Sequence, residues 1–115
     1  MILRSALLLG SVAPADQPGF DAYMRDVVVP AIATYPGIRG VTLRKSVAAD
    51  PGAPEVYMQF DLQFDSLQAM DAALASPVRD AVRSRIKAGM GPFRGTVTHV
   101  VSEVITTQSP PDGGP

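Results

Sequence analysis

Alternation of apolar and polar positions marks the strands of this chain. Over residues 54–66, PEVYMQFDLQFDS, the apolar set Val56, Met58, Phe60, Leu62 and Phe64 alternates with Glu55, Tyr57, Gln59, Asp61 and Gln63. Successive side chains of a strand point to opposite faces, so this run predicts a strand with one apolar face and one mixed face. Residues 2–9, ILRSALLL, predict a strand that is apolar on nearly both faces, as suits a central position. Residues 39–47 predict another, joined to the 54–66 strand by AADPGAP, whose Pro-Gly pair closes a hairpin. TVTHVVSEVI, residues 96–105, predicts the last.

Helical spacing fills the gaps. Phe20, Tyr23, Met24, Val27 and Ala31 recur at intervals of three and four, which predicts a helix from about Pro18 with Asp16 as its cap. Pro30 has no N–H for the Asp26 carbonyl, so this helix is expected to kink or end near Val29. Tyr35-Pro36-Gly37 is turn chemistry. After the 54–66 strand, Leu67, Met70 and Leu74 predict a second helix, capped by Asp65 or Ser66, with Gln68 able to complete a capping box from Asp65. Ser76-Pro77 restarts the chain as N-cap and first helical residue, and Val78, Val82 and Ile86 continue the stripe to Gly89.

The order strand, helix, strand, strand, helix, strand is the split βαβ pattern of the ferredoxin-like α+β class. It predicts a four-stranded antiparallel sheet with helices on one face. The helices belong on the Val56/Met58/Phe60/Leu62/Phe64 side. The Tyr57/Gln59/Asp61/Gln63 side is left bare, to face water or a partner subunit. Residues 1–105 form the expected domain, and TTQSPPDGGP, residues 106–115, an expected disordered tail.

Composition narrows the function classes. The 115 residues are 46% hydrophobic and 18% charged, with a net charge of −1. That suffices for one folded domain and supplies no basic patch for nucleic acid. The absence of cysteine excludes disulfides, thiol nucleophiles and cysteine-based metal sites, and fits a reducing compartment. A single histidine argues against a histidine-clustered metal site. No apolar run approaches the roughly 20 residues of a membrane span. The N-terminal MILRSALLLGSVAPAD imitates a signal peptide through Arg4, its apolar run and Ala13-Pro14-Ala15. The run is short and reads as a strand, and the strand reading places the protein in the cytoplasm.

YPGIRG (35–40), the hairpin, and above all FDLQFDSLQAMDAALASP (60–77) resemble the EthD family, named for ethyl tert-butyl ether degradation and belonging to the dimeric α+β barrel superfamily. The likeness covers residues 2–105. It implies a homodimer in which two sheets pack bare face to bare face, so that Tyr57, Gln59 and Asp61 look at the other subunit. It further implies a small-molecule pocket between each sheet and its helices, working without a cofactor.

Polar groups on the helix side of the sheet are then the candidates. His99 shares a face with Val97, Val101 and Glu103; an imidazole there is a general base or acid, or else a hydrogen-bonded structural histidine. Arg4 shares a face with Ile2, Ala6 and Leu8, where a guanidinium needs a carboxylate or a ligand. Glu103 is the candidate partner for a structural ion pair; alternatively Arg4 and His99 flank an anionic oxygen and stabilise an enolate or carboxylate. Arg39 aligns with a pocket position of cyclase relatives, or is an exposed strand-end arginine. Met58, Phe60 and Leu62 serve as core or as the wall of an apolar pocket. Two positions depart from the pattern of the relatives: Val28 stands where many EthD-type sequences have histidine and Arg79 where some superfamily relatives do, and neither exchanges a proton near neutral pH. Two functions follow. One is a small isomerase, cyclase or oxygenase acting on an apolar or aromatic compound, with His99 and Arg4 as its catalytic groups. The other is a non-catalytic binding or accessory protein of a degradation or biosynthesis pathway.

Overall fold

The computed structural model describes residues 1–111. Four strands, β1 (Ile2–Val12), β2 (Gly40–Lys45), β3 (Val56–Phe64) and β4 (Phe93–Glu103), make one sheet in the order β2-β3-β1-β4. Every neighbouring pair is antiparallel. The helices are α1 (Gln17–Tyr23), α2 (Val29–Ile32), α3 (Leu67–Leu74) and α4 (Val78–Gly89). The fold is the ferredoxin-like α+β arrangement. β1 and β4 outrun their expected lengths, because Val12 and Phe93 still pair at the far end of the ribbon. Residues 106–110 carry no regular structure and, like Pro111, are exposed; residues 112–115 of the expected tail lie outside the described residues.

β3 alternates as its sequence demands. Met58, Phe60, Leu62 and Phe64 are buried under the helices. Tyr57 departs from the expectation. The β1–β3 register slips between Leu8 and Leu9, so β3 carries one extra residue there. Such a bulge re-aims the side chain at the slip. Tyr57 therefore leaves the bare face, packs edge-on against Phe20 with ring centroids 5.7 Å apart, and donates its hydroxyl hydrogen to Asp21 of α1. Lys45 reaches the same carboxylate at 2.7 Å and lies over the Tyr57 ring.

The first helix also differs in phase. Its buried residues are Phe20, Met24, Val28 and Ile32, not Val27 and Ala31. Met24–Val28 form a π turn that runs directly into α2. The wider i→i+5 turn just before Pro30 accommodates the missing N–H, and the helix continues for another turn instead of ending. The caps are redistributed as well. Asp16 makes no side-chain cap, and Gln17 instead donates to the Val12 carbonyl at 3.0 Å. Ser66 caps α3 by accepting from the Ala69 N–H at 3.1 Å, which leaves Asp65 to pair with Arg39. Ser76 is not the N-cap of α4; its hydroxyl donates to the Ala73 carbonyl. Leu67 is exposed, and Ala73 joins Met70 as the buried residues of α3.

The bare side of the sheet is organised around one carboxylate. Asp61, 8% exposed, accepts hydrogen bonds from Ser5 (2.7 Å) and Gln59 (2.8 Å), and lies 3.0 Å from the Arg44 guanidinium. Burial alone would raise this carboxyl, but the bonds from Gln59 and Ser5 and the charge of Arg44 together hold it below the usual aspartate range. Leu3, Leu7 and Leu9 of β1 share this face and are half-buried, while Val100 of β4 is 50% exposed.

Candidate functional site

A cavity of about 340 Å³ lies between the sheet and the helices. Its floor is Arg4, Ala6 and Leu8 of β1, Phe60 and Leu62 of β3, and Val97 and His99 of β4. Arg79, Val82, Arg83, Ile86 and Lys87 of α4, with Leu74 and Met90, form the opposite wall; Met24, Ile32 and Tyr35, from the first helix and the turn after it, complete the lining. Two features of the sequence open this space. Ala6 sits directly between Phe60 and His99 in the sheet register and contributes only a methyl group. The helices also leave β4 uncovered: Val97 and Val101 face the helix side yet are 43% and 41% exposed.

α4 is held in position over this space by a close contact. Tyr23 donates its hydroxyl hydrogen to the Arg85 carbonyl at 2.7 Å, and its ring occupies the space that a side chain at Gly89 would take. The cations of α4 follow from spacing alone. Arg79, Arg83 and Lys87 are four residues apart, so they share one face of the helix. They line the cavity opposite Arg4, Ala6 and Leu8 of β1.

The charge in the cavity is one-sided. Arg4, Arg79, Arg83 and Lys87 line it and no carboxylate does. The expected Arg4–Glu103 pair does not form. Arg4 lies opposite Val101, Glu103 lies opposite Ile2, and Glu103 is exposed at the strand end. Among the described residues Arg4 has no carboxylate partner. Burial, then the nearby Arg79 charge, lowers the pKa of Arg4; the guanidinium nevertheless stays protonated. His99 stands on the uncovered strand β4 and is exposed by area; partial desolvation first, and the charges of Arg4 and Arg79 next, push its pKa below the ordinary histidine value, which favours the uncharged imidazole that can accept a proton. Burial raises the Tyr35 hydroxyl pKa against the lowering pull of Arg79, Arg4 and Arg83.

Of the candidates from the sequence, Arg4, Phe60, Leu62, Arg79 and His99 come together at this cavity. Val28 and Met58 are in the core, 0% and 2% exposed, and do not line it. Arg39 lies at the surface with Asp65, 2.7 Å away, also apart from the cavity. Tyr35, Arg83 and Lys87 escaped the sequence reading. The i, i+4, i+8 spacing from Arg79 was the available signal for the two cations; Tyr35 carried none beyond its turn. Among the described residues no group of histidine, cysteine, aspartate or glutamate side chains is arranged to hold a metal ion, and no helix is long and apolar enough to cross a membrane.

No protein-family model and no curated protein matches the chain. Solved structures do. An EthD family protein from Bacillus halodurans superposes with a TM-score of 0.70 at 18% identity, over 91% of this chain and 100% of that one. SnoaB, a cofactor-independent oxygenase from Streptomyces nogalater, gives 0.57 at 19% identity over 92% and 93%. A dimeric ferredoxin-like protein of unknown function from Thermobifida fusca gives 0.59 at 14% identity over 90% of each chain. The EthD likeness drawn from the sequence thus has its counterpart in three dimensions, and at these identities what is shared is the fold.

Proposed function

We propose that the protein binds a small apolar or aromatic molecule bearing an acidic oxygen in the cavity between sheet and helices, and acts on it by proton transfer without a cofactor. The observation that carries this reading is the charge of the cavity: four cationic side chains and no carboxylate among its lining. A partly buried guanidinium without a counter-charge is unfavourable, and an anionic ligand supplies the missing partner. The apolar remainder of the wall, Leu8, Phe60, Leu62, Val82 and Ile86, suits a ring or hydrocarbon body. His99, its pKa lowered from the ordinary histidine value, is the proton acceptor. Arg4 and Arg79 hold the oxygen on which charge develops, which lowers the barrier to enolate formation. Isomerisation, cyclisation and oxygenation of an enolisable compound can each begin with such a step. The fold shared with a cofactor-independent oxygenase supports this reading.

A thermal-shift series tests it. Aryl carboxylates, acidic phenols and β-diketones are expected to raise the melting temperature by several degrees at about 100 times their dissociation constants, and their uncharged counterparts to raise it less. His99→Gln should keep that shift but stop the exchange of solvent deuterium into the acidic C–H of a bound diketone. Catalysed exchange that survives His99→Gln would remove His99 as the proton acceptor, and a diketone that binds the wild-type protein with no catalysed exchange would favour the binding-protein reading, which Val28 and Arg79, in place of relatives' histidines, independently support.

We also propose that the protein is a homodimer through the bare sheet face. Support comes from the half-buried Leu3, Leu7 and Leu9 around the Ser5–Asp61–Gln59 network and from a dimeric protein of the same fold. Gln59 and Asp61 belong to this contact, and Tyr57 does not. Sedimentation equilibrium is expected to return about twice the 12.1 kDa chain mass. A monomer at high micromolar concentration would remove the dimer.

A further inference from the structure

Tyr35 has no part in the function argued so far, yet its surroundings give it one. The residue is 6% exposed and lines the cavity with Arg4 and Arg79. Of the three tyrosines, Tyr23 donates to the Arg85 carbonyl and Tyr57 to Asp21. Among the described residues the Tyr35 hydroxyl has no hydrogen-bond partner. It is also not a sealed, unsatisfied group, and the residue that carries it lines the cavity. A phenol with its ring in the core is held rigidly, and a hydroxyl without a protein partner is free to donate to a ligand.

We propose that Tyr35 is the hydrogen-bond donor that completes the oxygen site, and that the substrate is an enolisable carbonyl compound. The proposal rests on the anion-binding reading of the cavity. Arg4, Tyr35, Arg79 and His99 all line the one cavity, and the charges of Arg4 and Arg79 act on both Tyr35 and His99. His99 accepts the proton from the carbon beside the carbonyl. The C–H electron pair becomes a C=C bond, and the carbonyl π pair moves onto oxygen. That oxygen accepts a hydrogen bond from the Tyr35 O–H and lies against the two guanidinium groups. Return of the proton from the His99 imidazolium to a different carbon gives an isomer, with no other reactant consumed. At neutral pH the Tyr35 hydroxyl keeps its proton, because burial outweighs the neighbouring arginines.

The test uses 4-nitrophenol, whose ionised form imitates an enolate and absorbs in the visible, beside neutral nitrobenzene of the same shape. Tyr35→Phe removes only the hydroxyl. It is expected to weaken 4-nitrophenolate binding about tenfold or more, to leave nitrobenzene binding within about twofold, and to raise the pKa of the bound phenol by about one unit. Equal 4-nitrophenolate binding by wild type and Tyr35→Phe overturns the proposal alone. An equal loss for both probes does the same, because it makes Tyr35 a piece of wall. Wild-type protein that takes up neither probe overturns the proposal together with the reading beneath it.

Discussion

Arg4→Met is expected to leave the fold as stable as before, or more so, and to cost the protein its acidic ligands. Arg4 sits on a central strand, half-buried, with Arg79 near and no carboxylate beside it among the described residues. Replacing an uncompensated cation by an unbranched apolar side chain of similar length relieves repulsion and desolvation at once. The melting temperature therefore holds or rises. Binding responds in the opposite sense, since a hydrogen bond to a charged group contributes about 1.5–3 kcal/mol, or roughly ten- to a hundredfold in affinity. The contrast in direction is the informative part. A structural arginine would lose stability on replacement, whereas a ligand-directed one loses binding only. Denaturation curves and binding isotherms of the one variant separate the two.

The second large effect lies at the opposite end of the β1–β4 ribbon. Gly10 and Gly95 pair directly across the two strands, each with φ +149°. A methyl group on Gly10 would overlap the Arg94 carbonyl oxygen, and one on Gly95 the Leu9 carbonyl oxygen. Beyond this pair Val12 and Phe93 turn onto the helix, and Phe93 stacks on Phe20 at 6.3 Å. Gly10→Ala or Gly95→Ala adds backbone strain and overlap together, about 2–5 kcal/mol in all, and should lower the melting temperature by about 10 °C or more. Gly19→Ala is the control. It has open space and no positive φ, lies in α1, and should hold or raise stability by up to about 1 kcal/mol. Similar melting temperatures for Gly10→Ala and Gly19→Ala would show that the close approach of the glycine pair does not restrict these positions to glycine.

What the sequence conveyed, and what it withheld, follows from these same residues. The Met58-Phe60-Leu62-Phe64 alternation was legible because one buried face fixes the register of a strand. Strand order and helix placement followed from the order of the periodic segments. Tyr57 was misplaced because a one-residue slip opposite Leu8 and Leu9 leaves no trace in hydrophobic pattern. The phase of the first helix was missed for a related reason. Its π turn adds a residue to one turn, and a fixed 3.6-residue period cannot represent that. At the cavity, His99 and Arg4 stood out because polar groups on an apolar face are rare. Glu103 was assigned to Arg4 from strand adjacency alone, and the register places it one side-chain pair too far along. Tyr35 enters from a turn and meets Arg4 and Arg79 only in three dimensions.

The account stands on the claim that the cavity between sheet and α4 selects for negative charge on an apolar ring. Calorimetric titration of the wild-type protein with 2-naphthoate and with the neutral, equally sized 2-naphthamide tests this most directly. The naphthoate is expected to bind at least about tenfold more tightly, and the difference to vanish in Arg4→Met. Equal affinity for the two, or a preference for the naphthoate that Arg4→Met leaves untouched, would contradict it.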